Sequence, residues 1–189
     1  MSLSAAVLAG GLSTRMGRDK ALIELDRRPL IVRVFDRLNA VSDDVFAVTK
    51  DAEPLEPLGV RVVVDDDEAQ TPIAGIARAL RAARHEHVFV CACDTPFLSP
   101  KLIVLLASRA AGADAVVPRR DGRPEPLHGV WSSGAADRVE AALRKGERAV
   151  QRMLETLDVV WVDEDEWSAV DPRGRSFVNL NTPTDLTSA

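Results

Sequence analysis

Short apolar runs alternate with amphipathic stretches along most of the chain. Ala5-Ala6-Val7-Leu8-Ala9 contains no polar residue and ends at Gly10-Gly11. Such a run predicts a strand buried on both faces, as in the middle of a parallel sheet. Comparable runs occupy residues 45–48, 60–64, 87–92 and 113–117. Between them, residues 30–38 place Leu30, Val34 and Leu38 on one helical face, with Ile31 and Phe35 beside them. Residues 73–83 and 102–110 repeat that spacing. Strands alternating with helices predict βαβ units and a mostly parallel sheet.

The pattern changes after Pro118. Arg119-Arg120-Asp121-Gly122-Arg123-Pro124 reads as a turn or loop. Residues 127–131 predict an antiparallel strand in the C-terminal half. Residues 135–145 predict a helix with Gly146 as its stop. Residues 151–157 predict another helix and 159–162 a short strand. The tail, 177–183, reads as a strand end entering a turn, with Pro183 opening a last short helix. No repeat, low-complexity segment or long linker divides the 189 residues, so a single domain is expected.

Composition narrows the function classes. With 46% apolar and 28% charged residues, the chain can bury a core and does not read as disordered. A formal charge of −5 argues against a broad basic surface for nucleic acid. It leaves room for a small anionic substrate in a locally positive pocket. No run approaches the roughly 18 apolar residues of a membrane span. The opening MSLSAAVLAGG lacks the basic and long apolar regions of a signal peptide. Cys91 and Cys93 are the only cysteines, so no disulfide framework is expected. A cytoplasmic setting without membrane or nucleic-acid partners is expected.

Ligands of open α/β sheets sit outside the carboxyl ends of the strands. After the first strand come Gly10, Gly11 and Gly17 with Arg15, Arg18 and Lys20. Glycines permit close backbone approach, and their N–H groups can cradle phosphate oxygens. The chain has only four lysines against 20 arginines, so Lys20 does not come from a lysine-rich background. The spacing fits neither G-x-G-x-x-G nor G-x-x-x-x-G-K-[ST]. An ordinary βα turn with solvated arginines is the bland alternative.

Asp94, in Cys93-Asp94-Thr95-Pro96, follows the 87–92 strand. It is placed to hold Mg²⁺, which uses one or two carboxylates plus substrate phosphates; it could equally cap a turn. Asp65 opens the acidic run 65–68, otherwise a solvated loop, and could accept hydrogen bonds from base or ribose. Gly75, beginning the next helix, would let a flat base lie near the backbone. Residues 163–166 read as a solvated acidic loop. Asn179 and Asn181 would share a strand face, able to bind substrate or metal-bound water, or would simply form a turn. Cys91 and Cys93 read as buried free thiols. His85, His87 and His128 have no metal-ligand spacing.

Four segments together give a family resemblance. They are Leu8-Ala9-Gly10-Gly11-x-Ser13-x-Arg15-Met16-Gly17-x-Asp19-Lys20, Pro72-Ile73-Ala74-Gly75, Cys93-Asp94-Thr95-Pro96-Phe97-Leu98 and Asn179-Leu180-Asn181-Thr182-Pro183-x-Asp185-Leu186. The chain resembles, from end to end, the nucleotidyltransferases that include molybdenum cofactor guanylyltransferase. The first motif is shared across many nucleotidyltransferases; the last two are narrower.

The resemblance implies a Rossmann-like three-layer α/β/α domain that moves GMP from GTP onto Mo-molybdopterin and releases pyrophosphate. It implies nucleotide contacts from Leu8, Ala9, Gly10, Gly11, Asp65 and Gly75. Lys20 and Arg15 would neutralise phosphates, Asp94 would hold Mg²⁺, and Asn179 and Asn181 would lie near the acceptor. Residues 1–118 would form the nucleotide half and 119–189 the acceptor half. Transient contact with cofactor-delivering or cofactor-receiving proteins goes with such a role. Two departures stand out: Thr49-Lys50 where relatives often carry an asparagine, and a glycine loop one residue shorter before Asp19-Lys20. A nucleotidyltransferase for another nucleotide or acceptor, of the cytidylyltransferase type, and a non-catalytic nucleotide-binding accessory protein are the alternatives.

Overall fold

The computed structural model describes residues 2–10 and 20–180, with Lys20 described through its backbone alone. In chain order the elements are β1 (Leu3–Leu8), a 3-10 turn (Lys20–Leu22), β2 (Glu24–Leu25), β3 (Arg28–Pro29), α1 (Leu30–Leu38) and β4 (Asp44–Thr49). A 3-10 segment (Glu53–Leu58), β5 (Val62–Val64), α2 (Pro72–Ala82), β6 (His87–Ala92) and α3 (Pro100–Ser108) follow. The remainder is β7 (Ala115–Arg120), β8 (Arg123–Pro124), β9 (His128–Ser132), α4 (Ala136–Arg144), α5 (Val150–Leu154), β10 (Val159–Val162), α6 (Glu164–Trp167) and a 3-10 turn (Arg175–Phe177).

The main sheet has the order β10-β7-β9-β6-β1-β4-β5, with β8 attached to β7. The pairs β1–β4, β1–β6, β4–β5 and β7–β10 are parallel. β9 runs antiparallel to both β6 and β7. The expected mostly parallel sheet with an antiparallel strand in the later half is therefore what forms. β9 reverses because no crossover helix lies between it and β7; parallel neighbours need one.

Strand alternation sends side chains to two separate helical layers. Ala5, Val7, Ala47, Phe89, Cys91 and Val130 pack with Ile31, Val34 and Leu38 of α1 and Leu102 and Leu106 of α3. Ala6, Phe46, Val48, Val88, Val90 and Trp131 pack with Ile73, Ile76 and Leu80 of α2 and Val139 of α4. Trp131 is fully buried, and its indole N–H donates to the Pro126 carbonyl at 3.3 Å. Burying such a side chain contributes about 2–3 kcal/mol. At the amino ends of β1 and β4, the buried Asp44 carboxylate accepts from Ser4 Oγ (2.7 Å) and the Arg84 N–H (2.9 Å) and pairs with Arg61. Burial pushes its pKa up, but these partners outweigh burial and hold it below the usual value.

Several local expectations need correction. Residues 119–124 are not a loop: β7 runs through Arg120 and pairs with β8, Arg120 opposite Arg123. Only Asp121 (φ 50°) and Gly122 (φ 72°) turn the chain. That pair of positive φ values is the two-residue hairpin geometry that Asp-Gly favours. Residues 163–166 are not a simple loop either. Glu164–Trp167 form α6, whose early carboxylates suit a helix N-terminus and whose Trp167 is buried. The 177–180 segment is no strand: Phe177 closes a 3-10 turn, and residues 178–180 join no sheet. Asn181 and Pro183 lie outside the described residues.

Candidate active site

Register brings the strand ends together. Leu8 of β1 lies opposite Val48 of β4 and Ala92 of β6, and Thr49 lies opposite Val64 of β5. Backbone bonds extend the ladders past the strands: Ala9 N–H to Val48 O (2.8 Å), Cys93 N–H to Leu8 O (3.2 Å) and Asp65 N–H to Thr49 O (2.8 Å). Ala9-Gly10, Thr49-Lys50, Asp65 and Cys93-Asp94 therefore border one space. It is a cleft of about 420 Å³, lined also by Leu8, Gln70, Thr71, Pro72, Gly75 and Leu127.

Each wall has a local cause. The N-terminus of α2 opens onto the cleft. Thr71 caps it, its Oγ1 accepting from the Ala74 N–H at 3.4 Å, and Pro72 takes the first helical position. Gly75 lines the cleft from the first turn of α2. A Cβ there would stand 3.2 and 3.3 Å from the two Leu8 methyl carbons. Its bareness thus lets α2 approach β1 closely, a reason distinct from making room for a base. The Asp94 turn is fixed on both sides. Thr95 Oγ1 donates to the Ala92 carbonyl (2.8 Å), and the Leu180 N–H donates to the Asp94 carbonyl (2.9 Å). Asp94 itself is 8% exposed.

Asp65 separates from its acidic neighbours. It is 7% exposed, whereas Asp66, Asp67 and Glu68 are solvated. Its Oδ2 pairs with Lys50 Nζ at 2.8 Å, and its Oδ1 accepts from the Asp67 N–H at 3.2 Å. Lys50 also donates to the Asp67 carbonyl. The departure at Thr49-Lys50 therefore places an ammonium where it restrains Asp65. Sequence reasoning noted Lys50 only as a difference. The signal that could have promoted it is its place directly after a buried strand.

Of the expected site residues, Leu8, Ala9, Gly10, Asp65, Gly75 and Asp94 share this cleft. Asn179 is exposed on the segment bonded to Asp94 and does not line it. Gly11, Arg15, Asn181 and the Lys20 side chain lie outside the described residues. The described charged lining is three carboxylates (Asp51, Asp65, Asp94) against Lys50. A polyphosphate would be repelled by that wall alone, so its charge must be met by other cations. Among the described residues no group of three or more His, Cys, Asp or Glu could cage a metal. A divalent ion at Asp94 would complete its shell with phosphate oxygens and water. An oxygen-only donor set of that kind suits a hard cation.

Comparison with known proteins places this geometry. A family model described as the MobA-like NTP transferase domain matches residues 5–160. The chain belongs to that family. This transferase is 38% identical to the probable molybdenum cofactor guanylyltransferase of Methanosarcina mazei, covering 97% of this chain and 88% of that one. It is 35% identical to the molybdenum cofactor guanylyltransferase of Desulfosudis oleivorans, over 100% and 94% of the two chains. Among solved structures, molybdopterin-guanine dinucleotide biosynthesis protein A from Archaeoglobus fulgidus superposes with a TM-score of 0.85 at 32% identity. That superposition covers 98% of this chain and 95% of the other. The protein is a nucleotidyltransferase of the α/β class, and transferases of its family generally use a divalent metal. No helix among the described residues is long and apolar enough to cross a membrane.

Proposed function

We propose that the protein is a molybdenum cofactor guanylyltransferase acting in the cytoplasm. It transfers GMP from GTP to Mo-molybdopterin, with Mg²⁺ as the metal. The observation that carries this reading is the single cleft uniting Leu8-Ala9-Gly10, Asp65 and Asp94, in a chain related over nearly its whole length to proteins named for that activity. An oxygen of the acceptor's terminal phosphate bonds to the α-phosphorus of GTP as the bond from that phosphorus to the bridging oxygen breaks. Pyrophosphate departs with the electron pair. The nucleophile is already ionised near neutral pH, so no side chain need remove a proton. The work left to the chain is positioning and charge neutralisation.

Residues 1–118 hold the nucleotide and residues 119–189 receive the acceptor. Leu8, Ala9 and Gly10 offer backbone along the nucleotide, Asp65 accepts from its base or ribose, and Asp94 holds Mg²⁺. When bound, Mg²⁺ neutralises phosphate charge. Lys20 and Arg15 balance the departing pyrophosphate. Lys20→Ala should lower kcat by about 10²-fold, the scale of losing one charge-stabilising donor; turnover within a few-fold of wild type would remove Lys20 from the mechanism. The reading itself is tested by incubating the enzyme and loaded molybdopterin with GTP or CTP. Product mass and released pyrophosphate are then measured. A guanine dinucleotide is expected. A cytosine dinucleotide would assign the other base, and GTP binding without pyrophosphate release would make the protein an accessory.

A further inference from the structure

We propose that Arg120 and Arg175 form an anion site that seats the negatively charged acceptor beside Asp94, a role that rests on the acceptor reading above. Arg120 is the last residue of β7, and only β9 separates β7 from β6. The β7–β9 ladder ends at Val116, and β7 continues to Arg120 paired with β8. The Arg120 Nη1 reaches the Phe177 carbonyl at 3.5 Å. Three residues later the Leu180 N–H bonds to the Asp94 carbonyl. Residues 177–180 span at most about 10 Å, so they tie the guanidinium to the Asp94 turn across a short gap. Arg175 opens the same 3-10 turn that Phe177 closes. Its guanidinium carbon lies 4.3 Å from the ring centroid of Phe97, three residues after Asp94. The exposed Asn179 lies between the two tethers.

The availability of these cations sets them apart from their neighbours. Arg119 stacks on Trp161 at 4.3 Å and faces Asp163 at 3.5 Å. Among the described residues, neither Arg120 nor Arg175 is in a salt bridge. Among the described residues Arg120's one side-chain hydrogen bond, to the Phe177 carbonyl, is long, leaving most of its fork of donors for a ligand. Arg120 also interacts by charge with Glu125, whose pKa burial raises, prevailing over the lowering effect of that guanidinium. The nucleotide cleft's described wall is net negative. Positive charge on the acceptor side therefore separates two anionic substrates that must meet at Asp94. Guanidinium forks suit a phosphate monoester or a flat conjugated anion.

The test is kinetic and uses the full chain. In the Arg120→Ala/Arg175→Ala double variant, the KM for loaded molybdopterin should rise by about tenfold or more, as when charge-assisted hydrogen bonds are lost. The KM for GTP should stay within about twofold, by the near-additivity of separate sites. Arg120→Lys/Arg175→Lys should recover part of the loss. Raising ionic strength should raise the wild-type acceptor KM and affect the double variant less. An unchanged acceptor KM in a variant with wild-type circular dichroism would overturn the assignment. So would a parallel rise in the KM for GTP. Equilibrium dialysis of molybdopterin without nucleotide separates this inference from the proposed reaction. Wild-type binding without transfer contradicts the reaction, and weaker binding by the variant still upholds the arginine site. Equal binding, or none to either protein, overturns the site.

Discussion

Asp94→Ala should lower metal-dependent turnover by about 10³-fold, roughly 4 kcal/mol of transition-state stabilisation. The expectation follows from where the side chain stands. Asp94 lies at the carboxyl end of a fully paired central strand, between two backbone anchors that do not involve its carboxylate. Removing the carboxylate should leave the Thr95–Ala92 and Leu180–Asp94 main-chain geometry intact. Far-UV circular dichroism should stay near wild type while kcat collapses. Added Mg²⁺ should not restore the rate, because the lost group is the protein's own oxygen donor. A variant that keeps more than a tenth of wild-type kcat would remove Asp94 from the metal site.

His128 predicts a loss of stability in mild acid. It is 3% exposed, at the start of β9 opposite Cys91, with its ring edge-on to Phe177 at 5.2 Å. Neither ring nitrogen makes a hydrogen bond of good geometry among the described residues, and the Ser176 backbone interacts with the ring only weakly. Burial lowers its pKa from 6.5 to about 4, against a smaller opposing effect of the Ser176 backbone. Between these values the unfolded chain binds a proton that the folded chain refuses. The stability present above pH 6.5 is therefore lost as pH falls towards 4, by about 3 kcal/mol in all. That is a large share of the 5–15 kcal/mol typical of a domain. Urea unfolding at pH 7, 6 and 5 should show the decline, and His128→Leu should flatten it. The difference between the two proteins is the useful quantity, because Glu125, with its raised pKa, acts in the opposite sense. An identical decline in both would place the titration elsewhere.

The central part of the fold was legible because local and tertiary preferences agree there. Residues 30–38 form a helix with the expected bounds, and 87–92 a strand with the expected bounds. Both carry unbroken periodicity between clear stops. The β2–β3 hairpin was not read. It turns through Asp26 and Arg27, at φ 50° and 60°, without the glycine that would signal such a turn. The 177–180 segment looked like a strand because Phe177, Val178 and Leu180 are apolar. Phe177 instead packs edge-on against Trp167 and His128. Contacts from residues far away in sequence decide its shape. The rule that strand ends carry ligands singled out Asp94 and Asp65, and both line one cleft. Lys50's pairing with Asp65 needed the structure, since 15 positions of chain and a strand separate them. Arg120 and Arg175 were invisible as a pair because only the return of the chain at Phe177 brings them to the same turn.

The placement of β1 between β4 and β6 also bears on synthesis. β1 meets β4 early, Ser4 against Asp44, but its other edge waits for His87 to Ala92. At ribosomal rates of about 5–20 residues per second, the second partner emerges some seconds after the first strand. During that interval a mostly apolar strand presents an open edge, the kind that recruits chaperones or foreign strands.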